Sequence, residues 1–267
     1  MIRPPAVAGH FYPLNPNELA QNVDGFLLPR AEKNRALGCV VPHAGYIYSG
    51  HVAGAVYSAL EIPARLILLG PRHYPRGESL AILSEGSWAS PLGDARIDSA
   101  LAAELKHEFP RLREDAVAHE REHSLEVQIP FLQRLRGDFR FVPIVLGTDR
   151  YGVLEELGHA VARVVAAQGE PVLVVASSDM NHYESDAITR VKDEHAIARV
   201  LALDPRGLYD TVRAEGITMC GFAATVAMLV AVRDLGASEA ELVRYATSGD
   251  INGDRERVVG YAGIVIR

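Results

Sequence analysis

Four short runs of β-branched and aliphatic residues, Cys39–Val41, Leu66–Leu69, Phe141–Val145 and Val172–Val175, do most to limit how this chain can fold. The last is apolar at every position, and such a run belongs to a strand covered on both faces. Between and after the runs lie helical patterns at about 49–60, 98–109, 124–136, 151–167, 187–202, 205–214 and 221–235, with closing strands at about 241–247 and 257–266. Alternation of that kind predicts an α/β fold, a mixed, largely parallel sheet with helices on both faces. Ahead of it, Asn15-Pro16 opens an amphipathic helix carrying Leu19, Val23, Phe26 and Leu27 and ending near Pro29. Residues 80–97, with Trp88 and Pro91, read as an inserted β-excursion.

A core of this size is available, because 48% of the 267 residues are hydrophobic and 23% are charged, which sets aside disorder, collagen-like repeats and coiled coils. With no internal repeat and no Gly/Ser linker, residues 1–267 read as one domain. The formal charge of -7 argues against general affinity for nucleic acid or anionic membrane. Two cysteines cannot make a disulfide framework, and the start MIRPPAVAGHFYP lacks the apolar run of a signal peptide, so a reducing cytoplasm is expected. Apolar stretches such as Ala223–Val232 fall short of the roughly 20 residues that cross a bilayer.

In open α/β sheets, ligands bind beyond the carboxyl ends of the strands. Cys39–Val41 runs into Pro42-His43-Ala44-Gly45-Tyr46, Leu66–Leu69 into Gly70-Pro71-Arg72-His73, and Val172–Val175 into Ala176-Ser177-Ser178-Asp179-Met180-Asn181-His182. Cys220, in a short loop before an apolar helix, is a fifth ligand-type side chain. Singly, each has an ordinary explanation as a solvated histidine, a capping aspartate or a small buried thiol. Together, at the ends of separate strands, they indicate a metal or catalytic site. Histidine with carboxylate or thiolate suits Fe(II), Zn(II) or Cu, and two histidines plus one anionic ligand is the pattern of non-haem Fe(II) oxygen chemistry.

His119-Glu120-Arg121-Glu122-His123 fits the H-E-x-x-H zinc-protease string, but it precedes the helix expected from Ser124 and lacks an apolar face. His123, between Glu122 and Glu126, is a candidate to orient a ligand or bind substrate. Asp250-Ile251-Asn252-Gly253-Asp254 lacks the closing Glu of a calcium loop and reads as a hairpin-type turn. Cys39 reads as core, and Tyr46, Tyr48 and Tyr183 as cleft-lining or strand-edge aromatics.

The strings Arg3-Pro4-Pro5-Ala6-Val7-Ala8-Gly9 with Phe11-Tyr12-Pro13, Pro42-His43-Ala44-Gly45-Tyr46, Gly70-Pro71-Arg72-His73, Glu122-His123-Ser124-Leu125-Glu126 and Ser248-Gly249-Asp250 closely resemble the Memo family from end to end. The resemblance implies a fold shared with LigB-type extradiol ring-cleavage dioxygenases, which hold Fe(II) with two histidines and a glutamate. By motif, His43 and His73 correspond to those histidines, Cys220 stands in the glutamate's place, and Asp179 and His182 match the remaining polar pocket residues, His182 as acid/base. Fe(II) is the first metal expected, with Cu or Zn as alternatives, since a thiolate is softer than a carboxylate and can itself be oxidised. Phe11 replaces a tryptophan of the animal proteins, and Gly221-Phe222-Ala223 replaces their Gly-Arg-His stretch.

Two functions are therefore expected from one pocket. One is a dioxygenase-like oxidoreductase in which His43, His73 and Cys220 hold the metal, His182 and Asp179 serve catalysis, and Phe11, Tyr46, Arg72, His123 and Tyr183 bind substrate. The other is an adaptor that uses the same pocket for an acidic or phosphorylated peptide or small anion, with the Arg72 guanidinium as its support. The resemblance further suggests radical-SAM and AMMECR-type proteins as partners.

Overall fold

The computed structural model describes residues 1–29 and 33–267. Its strands are β1 (Ile2–Arg3), β2 (Gly38–Val41), β3 (Arg65–Pro71), β4 (Leu80–Ile82), β5 (Ser87–Ser90), β6 (Gly93–Ile97), β7 (Arg113–Glu114), β8 (Arg140–Leu146), β9 (Val172–Ser177), β10 (His182–Glu184), β11 (Ala240–Thr247) and β12 (Val258–Ile266). The helices are α1 (Pro16–Phe26), α2 (Tyr46–Ala59), α3 (Ser99–Glu108), α4 (Val117–Glu120), α5 (Ile129–Arg136), α6 (Tyr151–Ala166), α7 (Asp186–Leu201), α8 (Pro205–Ala214), α9 (Phe222–Asp234) and α10 (Gly249–Asn252).

The strands form one sheet ordered β1-β5-β6-β8-β3-β9-β2-β12-β10, with β11 on β12 and β4 on β8. At its centre β8, β3, β9 and β2 run parallel. The closing pair β11 and β12 joins β2 antiparallel, which makes the sheet mixed. Side chains alternate between two cores along each central strand, as the two-residue period of a strand requires. Leu66, Leu68, Leu173 and Val175 pack in the layer that holds Leu19 of α1, Val56 of α2 and Phe131 of α5. Ile67, Leu69, Val174 and Ala176 pack with Leu157 of α6, Leu208 of α8 and Leu229 of α9. Helix α9 is buried at every position from Ala223 to Val232, as expected of a helix that is apolar all round.

The inserted excursion becomes three strands of the same sheet: β4 pairs antiparallel and β6 parallel with β8, and β5 pairs antiparallel with β6. The Asp250–Asp254 turn contains one helical turn, α10, closed by Gly253 at φ 79 in the left-handed region that favours glycine. Among the described residues, no helix is long and apolar enough to cross a membrane.

The N-terminal segment is strapped down by one buried carboxylate. Glu126 accepts from Arg3 Nη1 at 2.7 Å, Ala6 N at 2.8 Å, Val7 N at 3.0 Å and the Tyr12 hydroxyl at 2.7 Å. Arg3 completes its fork with the carbonyls of His119 at 2.8 Å and Glu122 at 2.7 Å. This strap carries Phe11 to the carboxyl edge of the sheet, where its ring lies 4.8 Å from that of His123.

The H-E-x-x-H string is not a metal motif here. Helix α4 ends at Glu120, and His119 is fully buried with its ring 5.7 Å from Trp88, whereas His123 turns the other way. Burial, then the charge of Arg3, lowers the His119 pKa to about 3. A histidine ordinarily titrates near 6.5, so the unfolded chain takes up a proton there that the folded chain refuses. Stability is therefore full above that value and drains as pH falls toward about 3. Between pH 7 and pH 5 this residue alone removes about 2 kcal/mol. Urea midpoints of the native protein and His119→Leu at the two pH values test this, and equal acid losses in both would refute it.

Candidate metal centre

Three parallel strands deliver the polar residues. Pairing of β2 with β9 sets Val41 beside Ser177, so the residues that follow, His43 and Asp179, emerge together. They are tied directly, because Asp179 Oδ1 accepts from the backbone N–H of His43 at 2.7 Å and of Ala44 at 3.3 Å. Strand β3, on the other side of β9, brings His73 to the same edge. Cys220 reaches it because Gly221 packs directly on β9's end: its N–H donates to Ser178 Oγ at 3.0 Å, and any Cβ there would collide with Ser177 O.

Three imidazoles, those of His43, His73 and His182, have Nδ1 fixed by a hydrogen bond. Ser177 Oγ gives its single proton to Ser124 O at 2.7 Å and accepts from Gln128 Nε2 at 3.0 Å. A hydroxyl has one donor and two acceptor sites, so the 2.9 Å contact to His43 Nδ1 must be a bond that the imidazole donates. His43 Nε2 is thereby left as a lone pair. His73 Nδ1 donates to Glu122 Oε1 at 2.9 Å, while its backbone N–H donates to Glu122 Oε2 at 2.7 Å. A carboxylate can only accept, so in the neutral imidazole His73 Nε2 is also a lone pair. His182 Nδ1 donates to the Thr218 carbonyl at 3.0 Å, with the same result. His123 Nδ1 is buried without a hydrogen-bond partner, and its ring stacks on His73 with centroids 4.6 Å apart.

The arrangement fits a metal ion. One ligand atom from each of His43, His73 and His123 lies within 4.8 Å of the other two. The orphaned nitrogen of His123 and the carboxylate behind His73 are the features of imidazoles oriented toward a cation. Burial holds the His43 pKa well below 6.5 and lowers that of His123 to about 4, which keeps both in the neutral, metal-binding form at pH 7. Burial also opposes protonation of His73, but the Glu122 hydrogen bond and charge outweigh it and raise that pKa. Glu122 in turn is held down to about 2, burial pushing it up and the His73 bond and charge pulling it lower.

Cys220 borders this group. Its Sγ lies 3.1 Å from His43 Nε2, and because that nitrogen is a lone pair the thiol donates to it. Burial, and then the charge of Asp179, pushes the thiol pKa well up. Asp179 itself is raised to about 6 by burial, against its two backbone bonds. These groups open into a cleft of ≈ 550 Å³ that is also lined by Phe11, Tyr183, Thr218 and Tyr261.

Of the expected site residues, the structure brings His43, His73, Cys220, Asp179, His182, Phe11, His123 and Tyr183 to this cleft. Tyr46 and Arg72 do not line it. Tyr46 is a buried core residue whose hydroxyl donates to Val127 O at 2.6 Å. Arg72 folds against Gly147 and donates from Nη1 to Gly77 O at 2.6 Å. Adjacent residues of an extended chain point to opposite sides, so a neighbour of His73 is turned from the cleft. Glu122, Ser177, Gln128 and Thr218, which orient the imidazoles, were not singled out from the sequence. Glu122 had a local signal in its place directly before His123, whereas the others come from distant strands and loops.

The family model for Memo-like protein matches residues 3–265. A MEMO1 family protein of Pyrobaculum arsenaticum is 41% identical, over 99% of this chain and 98% of its own length. One of Methanopyrus kandleri is also 41% identical, over 100% of this chain and 99% of its own. In shape, the chain is similar to an uncharacterized protein from Escherichia coli K12, with a TM-score of 0.58 and 12% identity over 86% of this chain and 100% of the other. That likeness concerns the α/β fold alone. The match over nearly its whole length places this chain in the Memo family.

Proposed function

We propose that the cleft is a redox metal centre that binds Fe(II), or alternatively copper or zinc, and that the protein is a dioxygenase-like oxidoreductase acting on a small organic substrate. The observation that carries this reading is the convergence of His43, His73 and His123, two of them with Nε2 freed by bonds at Nδ1. Cys220, beside His43, supplies a softer donor at the edge of the group. When bound, Fe(II) or copper supplies one-electron chemistry and coordination positions that protein side chains do not fill.

The chain's own residues do the rest. His182 presents Nε2 as a proton acceptor on the cleft wall, with burial lowering its pKa. Asp179, raised to about 6, exchanges a proton near neutrality. Phe11 and Tyr183 offer aromatic faces to a substrate, and Tyr183 does so from a left-handed backbone with φ 64, 65% exposed. The adaptor reading loses its support, because Arg72 is turned away and, among the described residues, no Lys or Arg lines the cleft.

Metal analysis after anaerobic, reducing purification tests the proposal. Near-stoichiometric iron or copper, with metal-dependent O₂ uptake on a phenol, thiol and aldehyde panel, is the expected result. Protein that arrives metal-free and takes up none of added Fe(II), Cu or Zn would overturn it.

A further inference from the structure

The proton-carrying role of His182 in the preceding reading depends on something outside the cleft. We propose that Asp193, on α7, is a positioning residue for His182, acting through Asn181 and Thr218 to hold the imidazole with Nε2 toward the cleft.

Asp193 is fully buried, and among the described residues it makes no ion pair. An uncompensated buried carboxylate is costly, and an apolar side chain would fill the same space more cheaply. Each of its oxygens nonetheless accepts one hydrogen bond: Oδ1 accepts the backbone N–H of Asn181 at 2.8 Å, and Oδ2 accepts the Tyr245 hydroxyl at 2.7 Å. The packing is arranged around it, since any Cβ at Gly260 would collide with Oδ2. Burial raises its pKa to about 7 despite the bonds from Tyr245 and Asn181 and the charge of Arg190.

From Asn181 the chain of bonds runs to the cleft. Asn181 is pinned to β12, where Met180 N donates to Gly260 O and Gly260 N donates to Asn181 O. Its side-chain Oδ1 accepts from Thr218 N at 3.0 Å and from Thr218 Oγ1 at 3.1 Å. Thr218 then accepts the His182 backbone N–H on Oγ1 at 2.7 Å and the His182 Nδ1–H on its carbonyl at 3.0 Å. Asp193 holds the Asn181 backbone, while the Asn181 side chain also donates from Nδ2 to Glu184 Oε2 at 2.7 Å and to Thr189 Oγ1 at 3.3 Å. Removing the carboxylate unpairs Asn181 N and lets the turn that carries His182 shift.

The test is ¹⁵N-histidine NMR of metal-free protein, which reports the tautomer of His182 directly. The native protein is expected to show widely separated His182 nitrogen shifts, as a fixed Nδ1–H tautomer gives. Asp193→Ala should move the two shifts toward a common average while the His119 signals stay in place, and Asp193→Asn, which keeps an acceptor for Asn181, should restore the separation. A folded Asp193→Ala with His182 still locked overturns the proposal. If that variant does not fold, Tyr245→Phe decides by the same readout: partial averaging supports the assignment and an unchanged signal overturns it. Metal plays no part in this measurement, so its outcome and that of the metal analysis are separable.

Discussion

Glu126→Ala lowers the unfolding free energy by about 3–5 kcal/mol, the cost of leaving a buried charge without its partner. The Arg3 and Glu126 side chains are only 6% and 2% exposed, so solvent does little to replace the pair. The variant also strips the acceptor from Ala6 N, Val7 N and the Tyr12 hydroxyl, each a further unsatisfied group near the core. Urea unfolding with an unchanged slope would read the loss as stability alone. Glu126→Gln keeps two acceptor positions and should lose less. A loss under about 1 kcal/mol in Glu126→Ala would show that the strap is held by something else. Because the strap carries Phe11, its ring contact with His123 should weaken in step, visible as a change in the His123 resonance.

At the metal group, His43→Ala and His73→Ala each remove one of three imidazoles and should abolish stoichiometric metal in the purified protein. Glu122→Gln leaves the imidazoles in place and tests their orientation instead. The carboxylate fixes His73 at Nδ1 and at its backbone N–H, and also accepts from Ser124 N at 2.9 Å. Losing such a partner typically costs 10–100-fold in metal affinity. Competition titration with Zn(II), which has no redox chemistry to complicate the reading, measures it. Zn(II) affinity within twofold of native in Glu122→Gln would mean that His73 is positioned by packing alone.

The strands were legible because they are buried on both faces, which writes a continuous apolar run into the sequence. The seven helical patterns were legible for a similar reason, and most begin or end within a residue or two of their predicted positions; α2 starts earlier, at Tyr46, and residues 124–136 open as a 3₁₀ turn before α5. The rule that ligands gather at strand ends located His43, His73 and Asp179. It could not say which way a residue beside a ligand points, and Arg72 and Tyr46 were lost to that. The partners that fix each tautomer lie far away in sequence: Ser177 is 134 residues from His43, and Glu122 is 49 from His73. No local pattern encodes such pairs, because they exist only once the sheet has its order. His123 illustrates the limit from the other side, since its neighbours suggested an orienting role and the fold makes it a member of the histidine group itself.

The cleft also has a history during synthesis. Its walls come from Phe11 at one end of the chain to Tyr261 at the other, with His43, His73, His123, His182 and Cys220 in between. The central strand pairings are parallel, and parallel pairing brings together segments distant along the chain. A nascent chain that has released only its first half already carries the imidazoles of His43, His73 and His123, but it lacks β9, on whose edge both β2 and β3 depend. Those three histidines therefore leave the ribosome well before the thiol and before the strand that aligns them, and a histidine group of defined geometry is among the last things this chain makes.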